Sequence, residues 1–175
     1  MFCHYNKLYI PLQKYLHFQS LHNICNVYSY DVVDRFGELL FCFTNTNSCS
    51  TTLSFSSYGD LMAIGGSSGT ITIISMNKFQ INTYGKKVLA IASNWNWINS
   101  LAFTVINGQD YVAIGSDDTF ARVYKVYYND KTKEYNSQMI IKFKGYSKAV
   151  NSVKFSLFGS YLGIASWDNT ARIFY

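Results

Sequence analysis

A ten-residue segment recurs in this chain at a fixed interval, its copies beginning fifty residues apart at Ile64, Ile114 and Ile164. Ile64-Gly65-Gly66-Ser67-Ser68-Gly69-Thr70-Ile71-Thr72-Ile73 aligns without gaps with Ile114-Gly115-Ser116-Asp117-Asp118-Thr119-Phe120-Ala121-Arg122-Val123. Both align with Ile164-Ala165-Ser166-Trp167-Asp168-Asn169-Thr170-Ala171-Arg172-Ile173. Self-similarity at this period means one supersecondary unit used repeatedly. Such a unit cannot bury its apolar face alone and must stack on its neighbours.

The units share one grammar. In the last, Val150 to Phe155 alternates apolar and polar residues, as a strand does with one face on a core. Ser156 to Ser160, with Gly159, predicts a turn, and Tyr161 to Ser166 a short strand. Trp167-Asp168-Asn169 predicts a tight turn before a third strand over Thr170 to Tyr175. The middle copy runs Ile98 to Phe103, Tyr111 to Ser116 and Phe120 to Val126, with a longer first turn. The copy before it runs Ser50 to Phe55, Leu61 to Gly66 and Thr70 to Ser75. A fourth apolar stretch separates copies: Glu38 to Phe43, Lys87 to Ile91 and Gln138 to Phe143. A worn copy lies further upstream, Lys14 to Asn23 pairing with Ser160 to Asn169, and its inner strand is expected within Met1 to Tyr9. Four short strands per unit predict an all-β chain of β-propeller blades, each a four-stranded antiparallel sheet. The blades are expected at approximately 1–43, 50–91, 98–143 and 149–175, with the terminal ones incomplete.

Composition agrees with a packed chain, 49% of residues being apolar and only 14% charged. The net charge of +5 is scattered and forms no dense Lys/Arg stripe, so no specific nucleic-acid partner is expected. No apolar run approaches the ~18 residues of a membrane helix, and Met1 to Lys14 lacks a signal-peptide core. Cys3, Cys25, Cys42 and Cys49 are dispersed without CxxC spacing. They read as reduced cysteines of an intracellular protein, cytoplasmic or nuclear.

Catalytic and ligand chemistry finds little support. Asp117 and Asp118 are adjacent, and successive strand or turn residues point apart, which suits structural roles better than acid–base work. His4, His17 and His22 do not converge with the cysteines, so no metal site is expected. Gly65 to Gly69 lacks a Gly-Lys-Ser/Thr ending and precedes a strand, so it is a hairpin turn and not a phosphate loop. The serines at 54–57 lack a nucleophile elbow. No enzyme activity and no cofactor are expected.

Phe155-Ser156-Leu157-Phe158-Gly159, Ser166-Trp167-Asp168 and Thr170-Ala171-Arg172-Ile173-Phe174 together resemble the WD-repeat family, and Ser116-Asp117-Asp118 with Ala121-Arg122-Val123-Tyr124 does so too. The family's Trp is replaced by Tyr28, Ile74, Tyr124 and Phe174, and its Gly-His appears only as Gly145-Tyr146. The resemblance implies a propeller of about seven blades, of which this chain would supply about four. It implies structural turn aspartates at Asp118 and Asp168, and a buried His–Ser–Asp network that is partial here because the His is missing. It also implies that the turn before each inner strand and the Ser-x-Asp turn share one rim. Trp95, Trp97 and Trp167 map there, with Lys148, Asp117 and Leu21 beside them, and tryptophans are enriched at interface hot spots. A non-catalytic protein-interaction scaffold is therefore expected, with self-association possible through open blade edges. The alternatives are a truncated gene product or fragment without independent function, and a membrane-phosphoinositide-binding propeller. The latter's paired-Arg loop is absent from the sequence.

Overall fold

The computed structural model describes residues 49–77, 84–91 and 96–175 in full, and the backbone of strands within 15–44. The expected inner strand within Met1 to Tyr9 lies outside the described residues. All regular structure among the described residues is strand, arranged in four antiparallel sheets. The first contains β1 (Tyr15–Gln19), β2 (Ile24–Ser29) and β3 (Leu39–Thr44), in that order. The second contains β4 (Ser50–Phe55), β5 (Leu61–Gly66), β6 (Ile71–Ser75) and β7 (Lys87–Ile91). The third holds β8 (Ile98–Ile106), β9 (Gln109–Ser116), β10 (Ala121–Asn129) and β11 (Glu134–Phe143). The fourth holds β12 (Val150–Phe155), β13 (Leu162–Ser166) and β14 (Ala171–Phe174). In every sheet the neighbours in space are neighbours in sequence, the meander of a propeller blade.

The cores lie between sheets. Leu61, Ala63, Ile71 and Ile73 of the second sheet pack against Ile98, Leu101, Val112 and Ile114 of the third. Ala102, Ala113, Ala121 and Val123 of the third sheet pack in turn against Val150, Val153, Leu162 and Ile164 of the fourth. A strand covered on both faces reads as a continuous apolar run, which is why every residue of β5 is buried. The side meeting the next sheet is built from small residues. A Cβ on Gly65 would lie 2.6 Å from Ile98 Cγ2, and one on Gly115 would lie 3.0 Å from Val150 Cγ1. Glycine at these two places lets the β-branched start of the following inner strand seat against the backbone.

The inner strands depart from simple alternation. The pairing shifts between Ser50 and Thr52, between Ile98 and Ser100, and between Val150 and Ser152. Thr51, Asn99 and Asn151 are thus the extra residues of three equivalent β-bulges. The reason is visible in the apolar positions 150 and 153, which are both buried although three residues apart.

Two turns also differ from expectation. The longer first turn of the middle copy is taken up by longer strands, leaving a two-residue turn at Asn107-Gly108 with φ of 51° and 73°. This is the Asn-Gly hairpin signature. Tyr127 to Ser137, whose polar composition suggests a loop, is likewise mostly strand: β10 and β11 continue to Asn129 and from Glu134. Tyr128 and Tyr135 face each other edge-on across this hairpin, with ring centres 5.2 Å apart. Asn129 closes it, its side-chain oxygen accepting the Lys131 amide at 3.0 Å.

Candidate protein-interaction rim

Each of the last three sheets joins its two rim turns by one backbone hydrogen bond. Ser67 donates to the Cys49 carbonyl, Asp117 to that of Trp97, and Trp167 to that of Ala149, all at 3.0 Å. The turn between the second and third strands is therefore fixed to the residue that leads into the inner strand. This brings Trp97 beside Asp117 in the third sheet, and Trp167 beside Ala149 and Lys148 in the fourth. Trp97 is 51% exposed and Trp167 is 65% exposed. Lys148 is exposed, and its carbonyl accepts the Ser166 hydroxyl at 3.1 Å. Trp95 and Leu21 lie outside the described residues.

Asp117 is held by a neighbour. Asn99 Nδ2 donates to Asp117 Oδ1 at 2.6 Å and to the Val150 carbonyl at 3.1 Å, bridging its own turn to the start of the next inner strand. Thr51, the bulge residue one sheet earlier, does the equivalent by donating its hydroxyl to the Ile98 carbonyl. Sequence reading missed this clasp because it treated the inner strands as alternating. The three-residue apolar spacing at 98 and 101, and at 150 and 153, was the signal available. Further down the same interface, Ser54 Oγ accepts the Phe103 amide at 3.2 Å and Ser100 Oγ accepts that of Val153 at 3.1 Å.

The two turn aspartates are bound differently. Asp118 accepts the Phe120 amide at 3.2 Å and a two-pronged ion pair from Arg122, at 3.1 Å to Oδ1 and 2.6 Å to Oδ2. The Arg122 side chain is buried. Asp168 accepts the Thr170 hydroxyl at 2.6 Å and amide at 3.0 Å on Oδ1, and the Ser147 amide at 3.1 Å on Oδ2. The Thr170 hydroxyl above all, with the Ser147 and Thr170 amides and the Ser166 hydroxyl, holds the Asp168 carboxyl below its ordinary pKa against a desolvation effect. Arg172 turns away, donating to the Gly145 carbonyl at 2.7 Å, with its guanidinium 4.4 Å from the centre of the Tyr146 ring. Tyr146 stands where the family has its His. It is buried, and its hydroxyl has no hydrogen-bond partner among the described residues. The expected partial network is thus an amide-capped aspartate beside an arginine stacked on a tyrosine.

On the opposite rim, Asp110 Oδ1 is buried without a hydrogen-bond partner. Burial first, and the charge of Asp60 second, push its pKa up to about 6. Among the described residues, no group of three or more His, Cys, Asp or Glu is placed to hold a metal ion. No helix among them is long and apolar enough to cross a membrane.

Stacked antiparallel meanders with inter-sheet cores define the sheets as propeller blades. Residues 137–174 match the family model "WD domain, G-beta repeat", which supports the resemblance of the chain to the WD-repeat family. The match begins in the outer strand β11 of the third sheet and continues through β12, β13 and β14 of the fourth. No curated protein sequence matches the chain. Proteins of this family generally serve as protein-interaction scaffolds and are generally non-catalytic.

Proposed function

We propose that this chain is a non-catalytic scaffold, cytoplasmic or nuclear, that presents the rim carrying Trp97, Trp167, Lys148 and Asp117 to partner proteins. Trp95 and Leu21 belong to the same proposal. The observation that carries it is the exposure of two indoles on turns whose backbones are already fixed. An indole offered from a rigid turn brings large contact area with little entropy left to lose. Contacts between copies of the chain through open sheet faces are part of the same reading.

Trp97→Ala tests the rim. Because Trp97 is half-exposed, the change should cost less than about 1 kcal/mol of stability. If the indole is a hot spot, binding should weaken by roughly thirtyfold or more. The measurement is a melting curve beside quantitative capture of proteins held by the parent chain, with Trp167→Ala as a check from a different sheet. Early melting of both variants, or unchanged capture, overturns the proposal.

A further inference from the structure

The turns that follow the inner strands of the second and fourth sheets are one structure used twice, Phe55-Ser56-Ser57-Tyr58-Gly59 and Phe155-Ser156-Leu157-Phe158-Gly159. In each, the serine amide donates to the carbonyl of Leu61 or Tyr161 at 2.9 Å, and the glycine amide donates back to the serine carbonyl at 2.9 Å. The serine hydroxyl accepts the amide of Leu61 or Tyr161 at 3.0 Å. A turn fixed in this way holds its middle residues outward: Tyr58 is 73% exposed, Leu157 88% and Phe158 81%. Tyr58 stands in solvent although the third sheet covers its own sheet, so the exposure belongs to the turn tip and does not depend on what covers the sheet. Exposed turns favour Gly, Pro, Asn, Asp and Ser, and nothing in the packing accounts for Leu157-Phe158 at such a place.

These tips share one end of the molecule. Thr51 meets Ile98 and Ser54 meets Phe103, as Asn99 meets Val150 and Ser100 meets Val153. The three inner strands therefore run parallel, and the turns after them lie opposite the tryptophan rim. A Cβ on Gly159 would lie 2.8 Å from Thr104 Oγ1, which seats the Leu157 turn against the end of β8. The start of β7 and the hairpin between β10 and β11 reach the same end. Exposed there are Lys86, Lys87, Lys131, Lys133 and Lys154, against the exposed acids Asp130 and Glu134. Asp60 and Asp110 at this end are half-buried, and Asp60 accepts the Ser56 hydroxyl at 2.7 Å. We propose that this end is a peripheral contact for an anionic lipid bilayer, in which Leu157, Phe158 and Tyr58 enter the boundary between headgroups and acyl chains while the lysines meet the headgroups. Shape and charge together select the occupant. Apolar side chains on protruding turns would each need a fitted pocket in a folded partner, whereas a bilayer receives them without one. Aromatic rings suit that boundary, and the surplus of exposed lysine complements an anionic leaflet. Apolar insertion and a basic surface are the two signals that stable peripheral anchoring takes.

The inference goes beyond the scaffold reading and is independent of the tryptophan rim, which faces the other way. Co-sedimentation of the full chain with vesicles of equal parts phosphatidylserine and phosphatidylcholine tests it. The parent should bind, less so as salt rises, because the lysine contribution is screened. Replacing Leu157→Ser and Phe158→Ser together should lower partitioning by about a hundredfold with an unchanged melting curve, since both side chains are exposed. Lys154→Gln should lower it by about fivefold. Trp97→Ala should bind vesicles like the parent, which separates failure of this end from failure of the rim. A parent that leaves the vesicles unbound, a double variant that binds as well as the parent, or capture by soluble polyglutamate without vesicle binding, overturns the proposal.

Discussion

The third and fourth sheets carry the same Asp and Arg at the same places of the repeat, Asp118 with Arg122 and Asp168 with Arg172. In the third sheet the pair closes on itself, with the guanidinium buried against its own turn. In the fourth the two separate: Asp168 caps the Ser147 amide, and Arg172 lies on Tyr146 and reaches the Gly145 carbonyl. A buried guanidinium without a counter-ion is costly, so Arg122 keeps its carboxylate. A partly exposed one can take backbone carbonyls and a ring face instead. Identity of residues at a repeat position therefore fixes the turn but not the contact. In the fourth sheet the contact is supplied by the segment leading into the inner strand, Gly145-Tyr146.

The largest test of this contrast is truncation of each aspartate. Asp118→Ala removes the ion pair of the buried Arg122 and should cost about 3–5 kcal/mol, read by denaturant unfolding. Asp168→Ala leaves Arg172 with its carbonyl and ring, and should lower the melting temperature much less. Equal losses would show that the two sites are energetically alike despite their geometry.

A second difference is Asp110 in the third sheet, at the place taken by Ser160 in the fourth. With its folded pKa at about 6, above the ordinary aspartate value of 3.8, the group favours the folded state when protonated. The favourable state is fully present below about pH 4 and is lost as pH rises through 6. Asp110→Ser should therefore stabilise the chain at pH 7, by about 1–2 kcal/mol after discounting for partial solvent contact. The same variant should flatten the stability profile between pH 4 and 6. A parent chain whose stability is level across that window contradicts the assignment.

The smallest effect concerns the last turn residue, Gly69, Thr119 and Asn169 in the three sheets, all with φ near 70°. Asn tolerates that conformation, whereas β-branched Thr does not. Thr119→Gly should gain about 1 kcal/mol, and Asn169→Gly close to nothing, by thermal melts of both variants. A loss in the Thr119 variant would mean that its side chain has a role beyond the turn.

Much of this architecture was legible in the chain. The fifty-residue recurrence located the strands, and Ser-x-Asp located the turns, because turn chemistry depends on neighbouring residues. The bulge clasp at Thr51 and Asn99 was harder to read, since its partners are a main-chain carbonyl in another sheet. Side-chain identity says nothing of such an acceptor. The exposure of Trp97 and Trp167 was equally beyond sequence, as an aromatic beside a strand suits a rim and an inter-sheet core alike. The burial of Tyr146 under Arg172 was hidden for a related reason: twenty-five residues and two strands lie between the two.

The family match from 137 to 174 straddles two sheets, supplying the outer strand of one and the first three strands of the next. The segment that could be copied as a unit in the gene is therefore not the unit that forms a sheet. Removing one such segment at the level of DNA would leave an outer position empty behind it, yet the following segment carries an equivalent strand that can fill it. A chain written this way can gain or lose a unit without any sheet changing its strand count, because each new join recreates the old one.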